Sequence, residues 1–334
     1  MQLDFPQYTR GEHLERYTRV ARLMPLMEWE AYFDLVHEIQ SLKRERNAIV
    51  LAHNYQRPEI FHAVADVHGD SLTLAREGAK SRADVIVMCG VRFMAETAKI
   101  LSPEKTVLLP SLTAGCSLAD SITAEDVRAL RAKYPGTPVV CYVNTDAAVK
   151  AECDACCTSA NAVEIVEGLG AEQVIFVPDE YLAAYVAANT RVRIIPWRGH
   201  CEVHEQFTAA QVDEYRRSTG AYVIAHPECP PEVQDVADYV GSTSGMVSAL
   251  RRERPARAVL ITECSMADNV CGEFPETEFI RPCNLCPHMQ SITLAGIRQA
   301  LTDLQPAIDV PINVATAARR SIERMFEITA RRAA

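Results

Sequence analysis

Sulfur is the first chemistry on offer. The 334-residue chain holds twelve cysteines, at 89, 116, 141, 153, 156, 157, 201, 229, 264, 271, 283 and 286. Cys116, Cys201 and Cys286 stand at equal intervals, since 201 − 116 and 286 − 201 are both 85. Three thiolates brought to one point suit a [4Fe–4S] cluster with one iron left open, able to bind a substrate oxygen as a Lewis acid. They also suit a three-cysteine zinc site closed by a fourth group, and the pairs Cys153–Cys156 and Cys283–Cys286 have the short spacing that zinc uses. Cys89 in VIVMCGV and Cys141 in VVCYVN read as small core residues. A second set of reactive side chains ends apolar runs: His53 and Tyr55 after AIVLA, Tyr142 and Asn144 after TPVVC, His226 and Glu228 after AYVIA. A third set is hydroxylic and opens helical stretches: Ser71 in GDSLTLA, Ser159 in TSANAVEIVEG, and Ser242 with Thr243 in GSTSGMVSAL. Hydroxyl-capped helix starts turn N–H groups and the positive dipole end toward a phosphate or carboxylate.

Three such sets need elements that repeat. Composition allows them: 48% of residues are apolar and 23% charged, the mix of a soluble globular protein, and the length suggests about two domains or three small ones. The formal charge of -10 argues against nucleic acid or an anionic membrane as partner. The opening MQLDFPQYTRGEH has no basic region followed by an apolar stretch, and no apolar run approaches the ~18 residues of a membrane span, so a cytoplasmic protein with reduced thiols is expected.

The first 45 residues read as helical, with Trp29, Tyr32, Phe33, Val36 and Ile39 along one face. Beyond them strands and helices alternate. AIVLAHNY, ADVIVMCG, KTVLLP, TPVVCYVN, EQVIFVP, VRIIPW, AYVIAHPE and RAVLITE are short and almost wholly apolar, as strands buried on both faces must be. Alternation of this kind predicts α/β architecture with parallel sheets. The cysteine period recurs in the elements: a strand with a polar end, a hydroxyl-opened helix, a second strand at 84–89, 173–177 or 257–262, and finally a cysteine. A unit of this length is too long for a solenoid repeat and right for a small α/β domain. Three similar domains about a pseudo-threefold axis would bring one cysteine each to the centre. The polar strand ends would face the same cavity, because open α/β sheets bind ligands beyond the carboxyl ends of their strands.

Taken together, LAHNYQRPEI, GDSLTLA, VIVMCGVRFMAETAKIL, PSLTAGCSLADS, YVNT, TSANA, WRGHCEVHEQF, AHPEC, GSTSGM and CNLCPHM resemble the quinolinate synthase family, over about residues 45 to 290 and in the family's order. The resemblance implies three homologous αβα-sandwich domains around a central [4Fe–4S] cluster. With the period, it divides the chain into an N-terminal helical segment at 1–45 and α/β units at 46–117 plus 287–334, 118–202 and 203–286. It implies condensation of iminoaspartate with dihydroxyacetone phosphate, losing phosphate and water to give quinolinate for de novo NAD synthesis. An L-aspartate oxidase or dehydrogenase in transient contact is the implied source of the imine. By motif, the cluster ligands fall on Cys116, Cys201 and Cys286, and the active-site residues on His53, Tyr55, Ser71, Tyr142, Asn144, Ser159, His204, His226, Glu228, Ser242 and Thr243. Some members carry a longer cysteine run before the last ligand; here only Cys283 remains of it.

Those substrates bring two carboxylates and a phosphate, a load suited to the three helix starts. Enolising the triose and expelling water need proton transfers, for which Glu228, His204 and Tyr55 have the right chemistry. His53 and His226 suit the carboxylates or the keto oxygen as donors. Two other classes stay open on residues alone: a zinc-stapled binding protein using the C-x-x-C pairs, and a cluster-bearing redox sensor without turnover.

Overall fold

The computed structural model describes residues 8–333, so the opening MQLDFPQ, read above for a leader, lies outside the described residues. Three four-stranded sheets organise the rest. The first contains β1 (Ala48–His53), β2 (Val67–Gly69), β3 (Val85–Cys89) and β4 (Thr106–Leu108). The second contains β5 (Val139–Tyr142), β6 (Ala155–Cys157), β7 (Gln173–Val177) and β8 (Arg193–Pro196). The third contains β9 (Tyr222–Ala225), β10 (Tyr239–Val240), β11 (Arg257–Ile261) and β12 (Glu278–Ile280). Strand orders are β2-β1-β3-β4, β6-β5-β7-β8 and β10-β9-β11-β12, one topology used three times. Every ladder is parallel. The protein is α/β, three parallel sheets layered between helices.

The eight apolar runs are strands, for the reason expected: β1 and β3 are buried along their whole length, with helices over both faces. β2, β6, β10 and β12 were not among those runs. They are edge strands of two or three residues, too short for a periodic signal. The N-terminal helical stretch is interrupted: helices Arg10–Tyr17, Leu26–Ala31 and Phe33–Glu45 replace one continuous rod. The apolar face survives the break at Tyr32, since Trp29, Val36 and Ile39 are fully buried. Trp29 satisfies its indole by donating from Nε1 to the His13 carbonyl at 2.8 Å.

The expected hydroxyl caps are found only once. Helix Ser71–Lys80 is capped by Asp70, whose Oδ1 accepts the Thr73 N–H at 2.9 Å, so Ser71 is its first residue. Helix Ala162–Gly168 starts at Asn161, with Ser159 in the turn before it. Only helix Thr243–Glu253 has the hydroxyl cap, Ser242, accepting the Gly245 N–H at 3.1 Å. A carboxylate at the first cap already answers the helix dipole there, leaving that start less attractive to an anion.

Two late helices return to earlier units. Helix Leu294–Asp303 packs on Phe33–Glu45 and β3, and Leu108 forms an antiparallel bridge to Ala307 beside the first sheet. Helix Ile312–Ala333 lies across helix Ala147–Ala151 and β6, where Ser321 Oγ donates to the Lys150 carbonyl at 2.9 Å. One apolar core runs through the first two sheets and reaches the third. A smaller one, built on Phe207, Val212, Val223, Val259 and Ile261, fills a face of the third sheet. None of the described helices is long and apolar enough to cross a membrane.

Candidate active site

The carboxyl ends of the three sheets open onto one central cavity. Its lining includes His53, Tyr55, Ser71, Tyr142, Asn144, Ser159, His204, His226, Glu228 and Thr243, together with Cys116, Cys201 and Cys286. Ser242 is the one residue from the sequence-derived set that stands apart. It is buried, its hydroxyl is spent on the helix cap, and it does not line the cavity.

One wall is sulfur, and its three segments are built alike. Cys116 opens helix Ser117–Asp120, Cys286 opens helix Pro287–Gln290, and Cys201 stands just before the 3₁₀ turn His204–Gln206. In each case the sulfur accepts the backbone N–H groups two and three residues ahead: Leu118 and Ala119, Val203 and His204, His288 and Met289. Burial pushes the Cys116 thiol up to about 12 and Cys286 to about 11. Burial, then the nearby Glu228 carboxylate, puts Cys201 well above the ordinary thiol range. Metal capture here therefore releases protons.

The donor set favours a cluster over a single zinc ion. Two thiolates on one zinc, each at ~2.3 Å, stand at most ~4.6 Å apart. Among the described residues, the ligand atoms that all lie within 4.8 Å of one another belong to Cys201, His204 and Glu228, not to the three cysteines. Three half-buried cysteines, each sulfur already taking two N–H bonds and lining the cavity, fit an iron–sulfur cluster held by three thiolates. The zinc-like pairs have other partners. Exposed Cys283 meets Cys264 with sulfurs 2.9 Å apart. Buried Cys153 donates to the Val149 carbonyl, and buried Cys156 touches the Cys141 sulfur at 3.3 Å.

A hydrogen-bonded chain runs from the strand ends of the cavity to its sulfur side, which it meets at Cys201. Tyr55 Oη lies 2.6 Å from Thr262 Oγ1, and Thr262 Oγ1 lies 2.8 Å from His204 Nε2. His204 Nδ1 lies 2.9 Å from Glu228 Oε2 and 3.1 Å from Cys201 Sγ, while Tyr142 Oη donates to Glu228 Oε1 at 2.5 Å. One donor direction satisfies every link: Tyr55 to Thr262, Thr262 to His204 Nε2, His204 Nδ1–H to Glu228. That assigns the His204 tautomer from its network. Burial raises both tyrosines well above the ordinary phenol range, and the Glu228 charge adds to it, so both stay protonated. Burial alone would raise Glu228 too. The His226 and His204 rings and the bonds from His204 and Tyr142 outweigh it, and the carboxyl is held well below its ordinary range.

His53 and His226 hold corresponding places at the ends of β1 and just past β9, and share one local bond. Each Nδ1 accepts the N–H two residues on, from Tyr55 at 3.2 Å and from Glu228 at 3.3 Å. Nε2 therefore carries the hydrogen in each. Burial lowers them to about 4 and about 3, so both are neutral donors at physiological pH.

The quinolinate synthetase A protein family model matches residues 37–327. The chain belongs to the quinolinate synthase family. It is 61% identical to a quinolinate synthase of Agrobacterium fabrum over 313 residues, 93% of this chain and 91% of that protein. It is 59% identical to quinolinate synthase 2 of Mesorhizobium japonicum over 93% of this chain and 97% of that one. A quinolinate synthase of Xylella fastidiosa is 57% identical over 88% of this chain and 87% of its own length.

In this quinolinate synthase family member, sequence reasoning missed polar groups at or beside the cavity, among them Asp70, Thr262 and Glu263. Asp70 lines it as a helix cap and also accepts from Ser244 Oγ at 2.6 Å. Asp directly before an apolar helix was a readable cap signal. Thr262 and Glu263 follow β11 at its carboxyl end, where the rule used for β1, β5 and β9 applied equally. Glu263 lines the cavity, and burial raises its carboxyl to about 7. Its oxygens accept the Ser265 N–H at 2.7 Å and the Cys286 N–H at 3.3 Å.

Proposed function

We propose that the chain condenses iminoaspartate with dihydroxyacetone phosphate to quinolinate, with loss of phosphate and water, as a transferase-type step of de novo NAD synthesis in the cytoplasm. The observation that carries this reading is one cavity lined by three cysteines, with a Tyr–Thr–His–Glu chain that reaches the Cys201 sulfur. Cys116, Cys201 and Cys286 would hold a [4Fe–4S] cluster. Bound there, the cluster would supply Lewis acidity toward a substrate hydroxyl or carboxylate.

The chain's own residues do the rest. His53 and His226 donate from Nε2 to carboxylate or keto oxygens. Ser71, Tyr142, Asn144, Ser159 and Thr243 orient the carboxylates and the phosphate, with Ser242 acting through the helix start that presents Thr243. Glu228, His204 and Tyr55 carry the proton transfers. A carboxylate held ionised is a weak base by itself, but placed on His204 Nδ1 it fixes the ring's orientation and tautomer, leaving Nε2 as the acceptor. Thr262 then passes a proton between Tyr55 and His204. The division into 1–45, 46–117 plus 287–334, 118–202 and 203–286 belongs to this proposal, as does transient contact with an L-aspartate oxidase or dehydrogenase supplying the imine.

Anaerobically purified protein, supplied with the imine generated in place and the triose phosphate, tests the reading. Quinolinate formation by brown, iron- and sulfide-containing protein is expected. Colourless zinc protein would overturn the cluster, and brown protein without turnover would leave a redox sensor.

A further inference from the structure

The cavity presents an electrostatic puzzle. Its lining contains the carboxyl groups of Asp70, Glu202, Glu228 and Glu263 but neither lysine nor arginine among the described residues. His53 and His226 are neutral. A multiply anionic ligand would meet dipoles and acids there, with no lysine or arginine in contact and with His204 and His288 already paired to Glu228 and Glu202.

A buried candidate charge stands one layer back. Two lysines are fully buried, Lys43 and Lys150. Lys43 has a carboxylate partner, Asp66, at 2.7 Å. Lys150 forms no ion pair among the described residues. Its Nζ donates to the Val143 carbonyl at 2.7 Å, to the Thr145 carbonyl, and to Thr145 Oγ1 at 3.3 Å, which uses all three N–H groups. It also lies 5.4 Å from the centroid of the Phe93 ring. Val143 and Phe93 both line the cavity, and Val143 sits between Tyr142 and Asn144, which do too. An uncompensated buried ammonium is expensive and persists where something repays it.

We propose that Lys150 is the positive charge of this cavity, a positioning residue that pins the Tyr142–Asn144 wall and favours a multiply anionic ligand through it. The inference rests on the proposed substrates only for the ligand's charge. Setting the amine behind the wall also keeps it from a keto substrate, with which an exposed lysine would form a Schiff base. A charge across ~10 Å of protein at an effective dielectric near ~20 changes affinity on the order of tenfold per unit of ligand charge.

The test is a charge ladder on anaerobic, iron-loaded protein. Binding of pyridine-2,3-dicarboxylate, a dianion, and pyridine-2-carboxylate, a monoanion, is measured by calorimetry for the wild type, Lys150→Met, Lys150→Gln and Ser321→Ala. Lys150→Met should weaken the monoanion roughly tenfold and the dianion roughly a hundredfold, with iron content unchanged. Lys150→Gln keeps two N–H donors without the charge and should show the same dependence on ligand charge with a smaller common loss. If Lys150→Met fails to fold, the Gln variant decides alone. Ser321→Ala removes the bond to the Lys150 carbonyl and should match the wild type. Equal losses for the two ligands would make Lys150 a merely structural residue and overturn the inference while leaving the proposed function intact. A wild type that binds neither ligand would overturn both.

Discussion

The sulfur wall and the strand-end wall of the cavity descend from the same threefold plan, yet one keeps it and the other breaks it. Cys116, Cys201 and Cys286 accept the same pair of backbone N–H bonds at the same offsets. The strand ends read His-Asn-Tyr, Tyr-Val-Asn and His-Pro-Glu, with only the two histidines sharing a local bond. Equivalent ligands serve a symmetric guest, whereas moving protons in one direction needs an acid and a base that differ. On the proposed function, symmetry is retained where the task is holding and lost where the task is chemistry.

The sharpest way to break this contrast is to remove one thiol at a time. Cys116→Ser, Cys201→Ser and Cys286→Ser should behave alike, each losing most of its iron and all turnover, because a missing thiolate leaves one iron poorly held. Cys153→Ser, Cys156→Ser and Cys229→Ser should keep both. Iron analysis checks this, and full iron content in one of the first three variants would end the claim of equivalence.

On the asymmetric wall, position should matter more than residue class. Glu228→Gln keeps the shape but cannot stabilise a charged His204, so turnover should fall by ~10²-fold with iron content and quinolinate binding preserved. Near-normal kcat with weakened binding would make Glu228 a binding residue and pass the acid–base role to His204 or Tyr55.

The paired histidines sharpen the comparison through acidity. His53 titrates near about 4 and His226 near about 3 in the folded protein, below the ~6.5 of an unfolded chain. A lowered folded value means the unfolded state binds more protons below ~6.5, so stability is lost as pH falls from there. Each histidine should cost about 2 kcal/mol between pH ~7 and ~5. Urea unfolding of the wild type, His53→Gln and His226→Gln should show that slope reduced in either variant and by the same amount; an unchanged slope would mean the rings are solvated.

The smallest effects distinguish Thr243 from its neighbour. Thr243→Ala should raise KM up to ~10-fold with kcat largely kept, since its hydroxyl lines the cavity and accepts from Asn54 Nδ2 at 2.8 Å. Ser242→Ala should leave KM near normal and cost about 1 kcal/mol in thermal unfolding, the worth of a helix cap. A larger KM effect at Ser242 would return it to the ligand.

The elements carrying the site were largely legible because burial on both faces writes β1, β3, β5, β7, β9 and β11 as apolar runs with polar ends. The edge strands β2, β6, β10 and β12 were illegible because their two or three residues form no apolar run. The cysteine wall was legible because its spacing survives as a period. Thr262 was not, because a threonine after an apolar run also reads as one more β-branched strand residue. Only the meeting of Tyr55 with His204 across its hydroxyl gives it a role. Asp70 lost its cap to Ser71 in the reading because adjacent residues both favour helix starts, and only backbone geometry decides between them.

Helix Ile312–Ala333, which packs across the second sheet's unit, has a consequence for synthesis. Its Ser321 reaches the residue that pins Val143, although about 170 residues separate them in the chain. A ribosome making this protein emits strands β5 to β8 long before the helix that covers them, so the middle unit waits with an uncovered apolar flank while the third is made. Messages cut short before codon 312 should therefore give products that chaperones and proteases recognise, whatever the state of their first and third units.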